Sequence, residues 1–106
     1  MINRVTLVGF AGKDPETRQT SNDKQVSNFS LATTETYSRN GEKLQDTQWH
    51  NIVAWNKLSE IAEKYIKKGQ QLYIEGRIKT RSYESDGTTK YITEILADKI
   101  LMLGKT

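Results

Sequence analysis

Two short stretches carry the side chains best able to do chemistry. The first is Gly76–Tyr83, GRIKTRSY. Side chains alternate along an extended strand, so Arg77, Lys79, Arg81 and Tyr83 share one face, and Ile78, Thr80 and Ser82 share the other. A row of cations ending in an aromatic ring suits a single nucleic-acid strand. The cations follow the phosphates and the ring stacks on a base, a contact worth ~1–3 kcal/mol. The same row also suits a solvated strand whose charge discourages edge pairing. The second stretch is Thr47–Lys57, TQWHNIVAWNK, which holds both tryptophans, Trp49 and Trp55, and the sole histidine, His50. Trp49, Asn51, Val53 and Trp55 fall on one face; His50, Ile52 and Ala54 fall on the other. Tryptophan is mostly buried on average, which points the first face inward. Ile52 and Ala54 are apolar and small enough for a tight interior, and Asn51 is an awkward core residue, which points it outward. Alternation alone leaves both orientations open. Tyr37 adds a conflict: it shares parity with Phe29 and Leu31, so it reaches solvent only if its strand bulges or leaves the core before ending.

Enzyme chemistry finds little support. His50 has no second histidine and no cysteine to work with, and the acids Asp14, Glu16, Glu42, Glu84 and Asp86 are scattered without ligand spacing. The sequence therefore predicts no catalytic set, no metal site and no cofactor. Gly9–Lys13 (GFAGK) is too short for a phosphate-binding loop, and no helix follows it. With 106 residues the chain makes one domain of ordinary size. The absence of cysteine removes disulfides and is compatible with a reducing compartment. No apolar run reaches membrane-spanning length, and MINRVTLVGF is too mixed for a signal peptide. The net charge of +3 lies wholly in the second half: residues 1–56 carry six Lys/Arg and six Asp/Glu, residues 57–106 ten and seven.

The elements that must position these residues follow from periodicity. Ile2–Phe10 reads as a strand, with Pro15 in a turn after Asp14. Val26–Tyr37 is a second strand and Ser38–Asp46 a hairpin loop around Asn40-Gly41. The tryptophan stretch is the third. Leu58, Ile61, Ala62, Tyr65 and Ile66 then form a helical apolar stripe, with Asn56 as N-cap, Lys67 and Lys68 in the last turn and Gly69 at C′. Gln70–Tyr83 and Lys90–Leu103 are strands joined across Asp86-Gly87. The expected architecture is all-β with one helix: a five-stranded OB-fold Greek-key barrel over residues 1–106. Its helix lies between strands 3 and 4, and strands 4 and 5 form a long hairpin.

Several blocks now carry a resemblance: NRVTLVGFAGKDPETR, FSLATTE, TQWHNIVAWNKL, EKYIKKGQQLYIEGRIKTR and LMLG, in order over nearly the whole chain. In these the sequence resembles the bacterial single-stranded DNA-binding protein family, OB-fold proteins that coat exposed strands during replication, recombination and repair. The resemblance implies base stacking on Tyr37, Trp49, Trp55 and Tyr83. The family often has tryptophan where Tyr37 and Tyr83 stand and phenylalanine at Trp55, so stacking is expected with altered strength. It implies phosphate contacts from Arg4, Lys57, Lys68, Lys79 and Arg81. Arg77 joins these from the alternation of GRIKTRSY, and Asn51 stands where some members carry arginine. A homotetramer is implied too, with His50 near a subunit contact, Tyr73 near the pairing of dimers, and the first strand joining dimers edge to edge. The implied location is the bacterial cytoplasm, with the nucleoid.

Members of the family usually continue into a glycine- or proline-rich tail with an acidic, hydrophobic tip that recruits other enzymes. The sequence ends at Gly104-Lys105-Thr106, so the expectation is strand binding without tail-dependent recruitment. The leading expectation is thus a non-enzymatic, sequence-tolerant binder of single-stranded DNA. An OB-fold protein for RNA, or a primosome accessory on the same fold, remains the alternative, because stacking distinguishes thymine and the 2′-hydroxyl poorly.

Overall fold

The computed structural model describes residues 1–104; Lys105 and Thr106, the end of the expected 1–106 unit, lie outside the described residues. The elements are β1 (Val5–Ala11), β2 (Glu16–Gln19), β3 (Gln25–Arg39), β4 (Glu42–Trp55), α1 (Lys57–Tyr65), β5 (Gln71–Ser85) and β6 (Thr88–Leu103). Hydrogen-bonded neighbours run β1-β5-β6-β4-β3-β2, and β1 also pairs with β3, closing five strands into a barrel. Among the described residues, only β4 and β6 pair in parallel. This is the expected OB-fold, helix and long hairpin included. The additional strand, β2, has no counterpart in the expected order. Its sequence, ETRQ, offers no apolar alternation, and backbone pairing with Gln25–Asn28 holds it at the rim.

The inward positions fill one core: Phe29 and Leu31 of β3, Ile52 and Ala54 of β4, Leu72 and Ile74 of β5, and Ile95, Ala97 and Ile100 of β6. Ala62 of α1 and Ile66 just beyond it cover one end. The helix differs from its expected stripe. Tyr65 is exposed, Leu58 and Ile61 are half-buried, and Ser59 is buried. The physical reason is a hydroxyl-lined contact: Ser59 Oγ lies 2.7 Å from Ser27 Oγ, which lies 2.7 Å from Thr17 Oγ1. Small side chains there bring α1 close to β3 and turn Tyr65 away. The helix also ends early, because Ile66 is already extended (φ −84°, ψ 129°). Lys64 is therefore the base of the last turn, and Lys67 and Lys68 lie beyond it. Gly69, at φ +89°, sits in a turn closed by the Gln70 N–H donating to the Lys67 carbonyl (3.1 Å), instead of at C′. Asn56 occupies the cap position, and its carbonyl accepts the Glu60 N–H (3.0 Å), but its side chain makes no capping bond.

The loop expected over Ser38–Asp46 is mostly strand. Asn40 and Gly41, at φ 52° and 81°, make a two-residue turn with the left-handed pair a type I′ hairpin needs. Asp86 and Gly87, at φ 52° and 77°, do the same for β5 and β6. The arms look like loop in sequence because neither of their faces is buried from Thr34 to Arg39. Both hairpins project from the barrel, and the longest dimension of the molecule is 54 Å.

Candidate nucleic-acid interface

The β3–β4 ladder decides the orientation that alternation left open. Directly opposed residues in an antiparallel pair point to the same side. Ser27/Ala54 and Phe29/Ile52 point inward, and Val26/Trp55, Asn28/Val53, Ser30/Asn51 and Ala32/Trp49 point outward. Ile52 is 1% exposed and Ala54 0%, against 60% for Trp49 and 38% for Trp55. The barrel interior is already full on the Ile52 side, so the tryptophans are left outside. Trp49 lies across the sheet toward Gly12. A Cβ at Gly12 would stand 2.4 Å from Trp49 Cζ3 and 2.8 Å from Ser30 Oγ, so the missing side chain seats the indole.

The outer face continues onto the other hairpin. Arg77, Lys79, Arg81 and Tyr83 of β5 stand opposite Leu96, Glu94, Ile92 and Lys90 of β6, on one side as expected. Val53 of β4 is aligned with Leu96. Two adjoining cavities lie where these strands meet. One, of ≈ 140 Å³, is bounded by Trp55, Val53, Leu96, Arg18 and Lys79. The other, of ≈ 280 Å³, is bounded by Lys13, Ser30, Asn51 and Ile92. Asn28, Arg81 and Glu94 line both. Arg81 donates from Nε to Glu94 Oε1 (2.9 Å) and from Nη2 to Oε2 (3.3 Å), a two-pronged bond that raises the guanidinium pKa above its ordinary value. Arg18, Asn28 and Glu94 were missed by sequence reasoning. They come from strands that only the barrel topology brings beside Trp55, and β2 gave no periodic signal to place Arg18.

The other expected site residues are spread more widely. Tyr37 is exposed, which settles its parity conflict: β3 has left the barrel without a bulge, and alternation no longer selects a core. It pairs with Leu44, and the ladder puts it on the side opposite Trp49, so the two are not brought together. Lys57 opens α1, and Lys68 lies in the following turn, its N–H donating to Asp14 Oδ1 (2.8 Å). His50 points to the inner side and shares a hydrogen bond with Thr33 Oγ1 (2.9 Å), at a cavity between β1 and β4 lined also by Val5, Leu7 and Trp49.

Arg4 stands apart from the groove. Its Nη2 is 3.6 Å from Glu75 Oε1, on the β1–β5 surface where Val8, Tyr73 and Leu101 are in register. There the Tyr73 hydroxyl donates to the Glu75 carboxylate. That bond raises the tyrosine pKa and lowers the glutamate pKa, burial and the Glu75 charge adding to the first effect, Lys99 and Arg4 to the second. Among the described residues, no three His, Cys, Asp or Glu side chains gather as a metal site, and no helix is long and apolar enough to cross a membrane.

Residues 2–103 match the Single-strand binding protein family. The chain is similar to Single-stranded DNA-binding protein 1 of Chlorobaculum tepidum, with 48% identity over 97% of this chain and 65% of that protein. It is 47% identical to the Single-stranded DNA-binding protein of Neisseria meningitidis, over 97% of this chain and 60% of that protein. The chain thus spans about two thirds or less of the curated relatives it matches. Among solved structures, the Plasmodium falciparum SSB complex with ssDNA superposes with a TM-score of 0.86 at 31% identity, covering 98% of this chain and 96% of that one.

Proposed function

This chain belongs to the single-strand binding protein family, and we propose that it binds and protects single-stranded DNA without reading its sequence, in replication, recombination and repair. One observation carries the reading. Two exposed tryptophans share a continuous outer face with the cation row of β5, on a barrel whose interior is filled by other residues. Trp49, Trp55 and Tyr83 stack bases; Lys79 and Arg77 meet phosphates, with Arg18 added beside Trp55 and Asn51 as a polar contact. Tyr37, Lys57, Lys68 and Arg4 lie off the groove and are reached by a strand that continues around the molecule.

The protein acts without catalysis, as a single OB-fold unit over residues 1–106, in the bacterial cytoplasm and on the nucleoid. It works as a homotetramer. The exposed Val8 and Leu101 on either side of the half-buried Tyr73 support one subunit contact, and the open edge of β1 beside His50 supports another.

Titration of tryptophan fluorescence with oligo-dT at two salt concentrations tests the reading. Trp49→Ala and Trp55→Ala should each weaken binding roughly 5- to 150-fold, the loss of one stacked base. Binding of both variants at parental strength would sink the assignment. Competition with a matched RNA oligomer separates DNA from RNA preference, and sedimentation velocity reads the oligomer.

A further inference from the structure

Glu94 is out of place in a groove for a polyanion. Its side chain is only 13% exposed, it lines both cavities, and it stands directly opposite Lys79 on the β5–β6 ladder. Its carboxylate nevertheless reaches diagonally to Arg81 and takes two of that guanidinium's N–H groups. Lys79, by contrast, has no carboxylate within salt-bridge distance among the described residues.

We propose that Glu94 is a built-in competitor of the DNA for Arg81. It keeps the guanidinium closed against itself, so that Arg81 lends the groove shape and hydrogen bonds but no net charge. The inference rests on the groove being the single-strand site. Its physical basis is the asymmetry of breaking a pair whose carboxylate is largely covered while its guanidinium is half exposed. A phosphate that captured Arg81 would have to replace both bonds of the fork and leave the largely covered Glu94 carboxylate without its two-pronged partner, beside the phosphate itself. Lys79 is free of that penalty and meets phosphate directly. The consequence is a site with one fewer ionic contact than its count of arginines and lysines suggests, and correspondingly faster release of the strand.

The slope of log affinity against log salt counts the phosphates neutralised, at about 0.7 for each on a single strand. We would measure it for oligo-dT with the full chain and with Lys79→Gln, Glu94→Gln and the double variant Arg81→Gln/Glu94→Gln, checking each fold by circular dichroism. Glu94→Gln should bind more tightly at low salt and show a slope steeper by about 0.7, or ~2.5-fold more affinity lost between 50 and 200 mM salt. The double variant removes the pair without changing net charge, and should keep the parental slope whatever its affinity. A parental slope in Glu94→Gln, or a shallower slope in the double variant, would overturn the proposal. Should Glu94→Gln fail to fold, the double variant decides alone. Lys79→Gln tests the groove itself: a slope shallower by about 0.7 upholds it, and an unchanged slope overturns the groove assignment instead.

Discussion

The seat of Trp49 gives a sharp test of how the aromatic surface is held. Gly12 lies where β1 has crossed to pair with β3, and its N–H donates to the Ser30 carbonyl (2.9 Å). Ordinary contact for a Cβ begins near 3.4 Å, and a Cβ at Gly12 would find Trp49 Cζ3 at 2.4 Å, so Gly12→Ala must push the indole back about 1 Å. Gly12 is not among the glycines with positive φ, so alanine fits its backbone. Reduced freedom of the unfolded chain then contributes about 0.4–1 kcal/mol of stability. The displaced ring is 60% exposed and swings into solvent, which keeps the cost below the ~1–3 kcal/mol of overpacking a closed core. These terms nearly offset, and Tm should move by only a few degrees. Affinity should respond instead. An indole off its seat loses part or all of a stack worth ~1–3 kcal/mol, so oligo-dT binding should weaken, by no more than the roughly 5- to 150-fold of Trp49→Ala, with no change in salt slope. Fluorescence titration of Gly12→Ala, Trp49→Ala and the double variant is the assay. In the Trp49→Ala background, Gly12→Ala should do nothing further, because both changes act through one ring. An undiminished affinity in Gly12→Ala, or an equal extra loss in the double variant, would refute the reasoning.

Other perturbations probe the scaffold. Ser27→Ala strips the central hydroxyl from the buried Thr17–Ser27–Ser59 chain and should cost about 1–3 kcal/mol in denaturant unfolding, against little effect for the exposed Ser38→Ala. Tyr73→Phe removes the bond that holds the Glu75 pKa down. A depressed carboxylate pKa contributes stability that is present above its ordinary value of 4.5 and is lost as pH falls through the lower, folded value. Tm of Tyr73→Phe should therefore fall less than that of the parent on acidification from 4.5 down through the folded value, and identical acid profiles would exclude the link. Gly41→Ala forces a side chain into φ +81° with open space around it. It should cost about 1–2 kcal/mol at the hairpin tip, visible as faster amide exchange in Thr36–Gln45 with the barrel unaffected.

Much of this interface is legible in the chain because two independent faces agree. Ile52 and Ala54 identify the barrel wall, and Arg77, Lys79 and Arg81 recur on a period of two, so Trp49 and Trp55 are placed by what lies behind them and beside them. Tyr37 is harder, since alternation carries information only while one face of a strand is buried, and β3 loses both its buried faces beyond Thr33. Tyr65 misleads for a related reason: the helical stripe counts apolar residues, and the real contact is made through Ser27 and Ser59. Glu94, Asn28 and Arg18 are silent in sequence. Their importance comes from β2, β3 and β6 meeting beside β4 and β5, a juxtaposition set by long-range pairing.

That juxtaposition hangs on very little backbone. β3 and β4 are zipped by fourteen partner pairs, and β5 and β6 by fifteen. The parallel seam between the two hairpins has two, Ile52/Ile95 and Val53/Leu96, and β1 and β3 also share two. Mechanically the molecule is a pair of stiff levers riveted at a short hinge, and the cavities beside Trp55 and Asn51 lie over that rivet. β1 braces the same junction from the other side, with six partner pairs to β5 and two to β3. Under the proposed function, the path of the strand therefore runs across a seam of two backbone pairs flanked by two long ladders.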